Sequence, residues 1–146
     1  MDFNRCYGCM QPKEEHPVCE HCGFNEETQN LPHQLPLGSI LQGHYMIGRV
    51  LGQGGFGITY LGWDLYLEIP VAVKEYYPTS MVYRDSATTQ SVINNNGDNE
   101  DLYTRSKERF LQEGKALAKF DELQNIVRIY NLFPENNTVY LVMEYA

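Results

Sequence analysis

The sequence predicts an α+β fold with a small metal-held piece in front of it. Two Cys-x-x-Cys pairs lie within the first 22 residues, five runs are rich in β-branched and aromatic residues, and one stretch has helical spacing.

The cysteine pairs are Cys6-Tyr7-Gly8-Cys9 and Cys19-Glu20-His21-Cys22, and the remaining 124 residues contain no cysteine. Two residues between cysteines let one tight turn aim both thiolates at a point, and two such turns supply the four-sulfur tetrahedron that Zn²⁺ favours. Gly8 and Gly23 are expected where such a turn needs unusual backbone angles and close approach to the sulfurs. Disulfides compete, but the N-terminus lacks the basic start and apolar core of a secretory signal. A redox Cys-x-x-Cys would occur once, beside a βαβ unit. Residues 1–24 resemble a zinc ribbon, with Cys6, Cys9, Cys19 and Cys22 as ligands. Sulfur at all four positions leaves none open for catalysis, so the zinc would be structural. A segment this short needs the metal for most of its stability.

The chain has 146 residues, 42% hydrophobic and 12% aromatic, which excludes a fully disordered polypeptide. Eleven basic against 19 acidic residues leave a net charge of −8, unsuited to nucleic acid. No run approaches the length of apolar sequence that spans a membrane. The expectation is a cytoplasmic protein with no nucleic-acid partner and no membrane segment. Residues 25–44 read as a linker: Asn25–Asn30 is polar, and Pro32 and Pro36 forbid a continuous helix. Leu37–Leu41 would begin to dock on the next domain.

From Tyr45 a strand reaches Leu51, then come Gly52-Gln53-Gly54-Gly55-Phe56-Gly57, then a second strand from Ile58 to Trp63. The pattern G-x-G-x-x-G alone is weak. A dinucleotide fold needs a helix after the glycines, whereas these residues are β-branched and aromatic and stop near Asp64, as a strand would. Strand, glycine loop, strand is a hairpin whose bare backbone can offer N–H groups to phosphates. Ile69–Lys74 is a third strand ending in a lysine, and an ammonium among apolar neighbours requires an anion. In the segment Glu108–Phe120, Phe110, Leu117 and Phe120 mark one side of a helix that Glu113 shares, and Lys74 is the candidate partner of that glutamate. Asn125–Phe133 and Thr138–Ala146 read as two more strands around a turn at Pro134–Asn137.

Joined in this order, the motifs of residues 45–146 resemble the N-terminal lobe of a eukaryotic-type Ser/Thr protein kinase of the kind found in bacteria. The resemblance implies a five-stranded antiparallel sheet with one αC-type helix. It also implies ATP as cofactor and protein hydroxyls as substrates. Gly52, Gln53, Gly54, Gly55, Phe56 and Gly57 would lie over the phosphates, Lys74 would hold them, and Glu113 would orient Lys74. Thr59, where the family usually has Val, and Ala72 would line the adenine pocket. Met143 would be the gatekeeper, followed by Glu144, Tyr145 and Ala146 as the hinge. Leu117 would join the family's apolar spine.

Two departures stand out. Thirty-eight residues separate Lys74 from Glu113, and the excess, about 78–103, reads as a flexible polar insertion or a docking element. No H-R-D-x-x-x-x-N and no D-F-G occurs, so the groups that position the hydroxyl and hold Mg²⁺ belong to a missing lobe. These 146 residues are therefore expected to be inactive alone, and the end at Ala146, in mid-strand, is expected to mark a fragment. The alternative is a pseudokinase-like, non-catalytic module that binds a protein partner through the ribbon. The intact glycines, lysine and glutamate argue against it.

Overall fold

The computed structural model describes residues 4–14, 16–94, 100–124 and 128–145. Its elements are β1 (Ile40–Leu41), β2 (Tyr45–Gln53), β3 (Gly57–Asp64), β4 (Ile69–Tyr76), β5 (Val82–Tyr83), β6 (Ile93–Asn94), α1 (Glu100–Gln124), β7 (Ile129–Glu135) and β8 (Thr138–Glu144). The five expected strands form one antiparallel sheet, and β1 joins its edge, giving the order β1-β2-β3-β4-β8-β7. β5 and β6 pair separately.

Several elements differ in extent from the sequence reading. The turn between β7 and β8 is the dipeptide Asn136-Asn137, with φ of 53° and 58°, and not the four residues from Pro134. A two-residue hairpin loop with both φ positive matches the twist of its strands, and asparagine tolerates that conformation. Pro134 sits inside β7, which is permitted because β7 is an edge strand. The expected start of that strand at Asn125–Val127 lies outside the described residues, as does Ala146.

Alternation along the strands sends side chains to two faces. Thr59, Ala72, Lys74, Leu141 and Met143 share one face through the registers Thr59↔Lys74↔Leu141 and Ala72↔Met143. The other face carries Ile58, Tyr60, Val71, Val73, Glu75, Tyr140 and Val142, all buried. Residues 37–41 dock as expected, with Leu41 fully buried in the core, and residues 30–36, read from sequence as a tether, cover that face as well, with Leu35 fully buried. Leu35 donates its N–H to the Tyr60 hydroxyl at 3.0 Å, and Asn30 Nδ2 donates to the carbonyls of Leu35 and Gly48. Prolines ruled out a helix here but not an extended strap that buries two leucines.

The 78–103 stretch is likewise more ordered than its composition suggested. β5 and β6 lie within it, Val82 and Val92 are buried in the core, and Arg84 is buried. Asn95–Asn99, the centre of the polar run, lies outside the described residues. Helix α1 starts at Glu100, eight residues before the apolar spacing announced it, and so takes in the last part of the expected insertion. Tyr103 and Phe110 anchor it against Tyr76, with ring centroids 6.4 and 5.0 Å apart. Gly114 brings its backbone onto β7, where an added Cβ would stand 3.1 Å from both methyls of Leu132.

Candidate functional site

Between α1 and the Lys74 face lies a cavity of about 620 Å³, bordered by Phe56, Tyr76, Phe110, Glu113, Leu117 and Leu141 as well as Lys74. Strand pairing therefore delivers Lys74, and helix spacing delivers Glu113 and Leu117, to one opening. The two charges do not form an ion pair there. Glu113 is solvent-exposed and Lys74 half-buried, so water satisfies both, and an exposed pair would add at most about 1 kcal/mol. Leu117, placed by the resemblance on an apolar spine, is 51% exposed at the mouth of this cavity. The side chain of Phe120 falls outside the described residues.

The glycine hairpin turns as expected, from β2 through Gly54–Phe56 into β3. An added Cβ at Gly52, Gly54 or Gly55 would meet nothing within 4 Å. The chain's own packing thus does not demand these glycines. Gly57 is different, because a Cβ there would stand 3.3 Å from Lys74 Cε and crowd the lysine stem. The hairpin is held from behind: Thr79 donates its N–H to the Gly55 carbonyl at 3.0 Å, and Tyr77 to that of Phe56 at 2.9 Å. Among the described residues the N–H groups of Gly55 and Phe56 have no partner. Gln53 departs from the expected role. Its side-chain oxygen meets His33 Nε2 at 2.8 Å and accepts from Gln34 Nε2 at 2.9 Å, so it faces the strap and only its backbone remains available. Phe56 projects into solvent at the hairpin tip.

At the far end of the face, Ala72 is buried opposite the half-buried Met143. Glu144 donates its N–H to the Arg128 carbonyl at 2.8 Å, which secures the end of β8 to β7.

Sequence reasoning missed the residue after Lys74. Glu75 is fully buried, and Arg84 grips both its carboxylate oxygens at 2.7 Å. The hydroxyls of Tyr60 and Tyr140 donate to the same carboxylate at 2.9 and 2.5 Å. Arg84 also donates to the carbonyls of His33 and Gln90, which ties the strap and the β5–β6 segment to the sheet. Burial opposes the charge on Arg84, but the hydrogen bonds and charge of Glu75 outweigh it and hold the guanidinium above its ordinary pKa. Burial and the neighbouring Glu75 charge push the phenols of Tyr60 and Tyr140 up. A buried carboxylate needs such saturation. The usable signal was a carboxylate at an inward strand position, two residues after Val73.

The cysteine segment forms two knuckles facing each other. Cys6 and Cys22 sulfurs are 3.6 Å apart, Cys9 and Cys19 sulfurs 3.7 Å, and all four lie within 4.8 Å of one another. Four sulfurs at about 2.3 Å from one zinc stand about 3.8 Å apart, so the set fits that ion. Gly8 and His21 N–H groups donate to the sulfurs of Cys6 and Cys19. Burial pushes the Cys6 thiol up to about 12. Burial would also raise Cys19, but N–H groups of Cys22 and His21 outweigh it and bring that thiol down to about 6. His21 is exposed and outside the set. Gly23 takes φ of +77°, as expected; Gly8 instead provides close approach, its would-be Cβ lying 2.4 Å from that of Phe24.

No protein-family model matches the sequence. The chain is 31% identical over 110 residues to the serine/threonine-protein kinase PrkC of Bacillus subtilis, covering 75% of this chain and 14% of that protein. It is 25% identical over 147 residues to serine/threonine-protein kinase B of Synechocystis, covering 94% of this chain and 20% of the relative. Among solved structures, the apo form of PpkA-294 superposes with a TM-score of 0.70 at 29% identity, over 77% of this chain and 39% of that one. The chain thus spans less than a quarter of the curated relatives it matches.

Proposed function

We propose that this chain, which belongs to the protein kinase family and folds as its N-terminal lobe, clamps ATP between the glycine hairpin and Lys74. On this reading it serves a Ser/Thr kinase that moves the γ-phosphoryl group to protein hydroxyls. The observation that carries it is the single sheet face on which Thr59, Ala72, Lys74 and Met143 stand in register beside a hairpin with two free N–H groups. The ammonium of Lys74 would counter phosphate charge, and the N–H groups of Gly55 and Phe56 would receive phosphate oxygens. Thr59 and Ala72 would cover the adenine, Met143 would wall its back, and the backbone at Glu144 and Ala146 would hydrogen-bond its edge. Glu113 would reach Lys74 once phosphates drew the lysine and the cleft was shut from water. Mg²⁺ would be held by the Asp and Asn of motifs that these 146 residues do not contain.

The cysteine centre would hold one structural Zn²⁺ through Cys6, Cys9, Cys19 and Cys22, and the ribbon surface would be open to a protein partner. Zinc thiolates of this kind belong to a reducing, cytoplasmic setting. No helix among the described residues is long and apolar enough to cross a membrane.

The test joins this lobe to a catalytic lobe in one polypeptide and replaces Lys74 by Ala. Phosphorylation of a protein substrate should fall by about 10³-fold or more, the scale of a lost phosphate clamp, with the fold unchanged by circular dichroism. Retained activity would refute the assignment. A lobe that carries the protein partner's binding but never nucleotide would favour the non-catalytic module.

A further inference from the structure

The two knuckles share a backbone pattern, each with one N–H donated to its first cysteine's sulfur and one to that cysteine's carbonyl, and they differ most tellingly at the residue after the second cysteine. Four residues after its first cysteine, the second knuckle has Gly23, with φ of +77° and its N–H donated to the Cys19 carbonyl. The equivalent residue of the first knuckle is Met10, with φ of 63° and its N–H donated to the Cys6 carbonyl. A left-handed backbone disfavours any side chain and suits glycine, so the methionine is there against its backbone preference. Its side chain supplies the reason. Met10 is 1% exposed and packs with Leu61 and Trp63, and Met46, Leu51 and Leu65 pack on that cluster.

Leu61 and Trp63 lie on the sheet face that also carries Thr59, Ala72 and Lys74. Leu61 pairs with Ala72 and stands two residues from Thr59, on the same face. Leu51 immediately precedes Gly52. The knuckle backbone is fastened to the same strand: Arg49 donates its N–H to the Tyr7 carbonyl at 2.9 Å and its Nε to the Gly8 carbonyl at 2.6 Å. Gly48 makes room, because a Cβ there would fall 2.4 Å from the Tyr7 carbonyl oxygen and 2.8 Å from Met10 Cε. Arg5 lies over the Trp63 ring at 4.0 Å. On the cysteine side, these contacts come from Arg5, Tyr7, Gly8 and Met10, all within or directly beside the turn that Cys6 and Cys9 bracket.

We propose that the first knuckle is a positioning element of the nucleotide cleft, in which Met10 couples metal occupancy of the cysteine centre to the placement of β2, β3 and the glycine hairpin. Metal bound at Cys6 and Cys9 holds the turn that presents Met10. Loss of the metal releases the turn, withdraws the wedge from Leu61 and Trp63, and loosens the strands above the adenine position. Linkage makes the effect mutual: nucleotide that favours the placed hairpin also favours retention of the metal. The inference rests on the zinc and nucleotide readings above.

Trp63 is the sole tryptophan of the chain, so its emission reports the contact. The 146-residue protein is compared under reducing conditions with zinc bound, as verified by metal analysis, and after removal by a chelator. Residue-resolved amide exchange is followed beside the Trp63 emission. Removal should shift that emission to the red and speed exchange from Val50 to Leu61 by about tenfold or more, while α1 and β7–β8 keep their rates. Met10→Gly is the second arm. It should bind zinc as firmly as the natural chain, because Gly23 already serves that backbone role, yet show the fast hairpin with zinc present; Met10→Leu should restore the slow one. If the ribbon only completes its own fold, Met10→Gly leaves the hairpin unchanged, and the proposal falls. It also falls if zinc binds but its removal leaves hairpin exchange unaltered. Magnesium-ATP, shown by titration to bind, should slow zinc loss to the chelator; an unaltered rate overturns the mutual coupling. Protein that binds no zinc overturns the zinc reading as well, and metal analysis separates that outcome from the others.

Discussion

Lys74 and Glu75 are adjacent on β4, carry opposite charges, and live in opposite surroundings. Lys74 projects into an open cavity without pairing to Glu113, whereas Glu75 is sealed among Arg84, Tyr60 and Tyr140. One residue of strand register separates a charge kept available from a charge fully neutralised. The difference shows how the lobe divides its labour: one face holds together strap, sheet and β5–β6 segment, and the other leaves Lys74 open to the cavity beside α1.

Replacing Arg84 by Ala should break the sealed side most severely. It leaves an unpaired buried carboxylate and frees the strap carbonyl of His33, so denaturant unfolding should show about 3–5 kcal/mol lost. The same replacement at Lys74 should change stability by no more than about 0.5 kcal/mol, because that side removes an already hydrated charge. Comparable losses from both would erase the proposed contrast. Between these lies Gly114→Leu, which drives a side chain against Leu132 and should cost about 1–3 kcal/mol while moving α1, and Glu113 with it, from the cavity. The smallest effect sharpens the open side. A double-mutant cycle on Lys74 and Glu113 without nucleotide should return a coupling below about 1 kcal/mol. A larger coupling would mean that the two charges pair in solution before any anion arrives.

Much of this was legible because it is local. Two-residue spacing between cysteines announces two turns that bring four sulfurs together, and alternation announces the strands. The Gly52–Gly57 hairpin could be told from a dinucleotide loop by the β-rich residues after it. Lys74 and Glu113 were placed on the correct strand and helix, and both reach one cavity. What failed were inferences from composition. Prolines in residues 25–44 and polar residues in 78–103 suggested loose chain, yet Leu35, Val82, Arg84 and Val92 are all buried. Nothing within either segment reveals that each completes the other through His33 and Arg84, 51 residues apart.

Turns, strand alternation and the placing of cysteine, lysine and glycine were readable along the chain, since they depend on neighbours within a few positions. What Arg84, Gln53 and Met10 touch depends on the assembled fold, because their partners are brought near by strand pairing and by the strap's path across the sheet. Burial, which sets the strength of every charge and hydrogen bond, belongs to the assembled fold and to no residue alone.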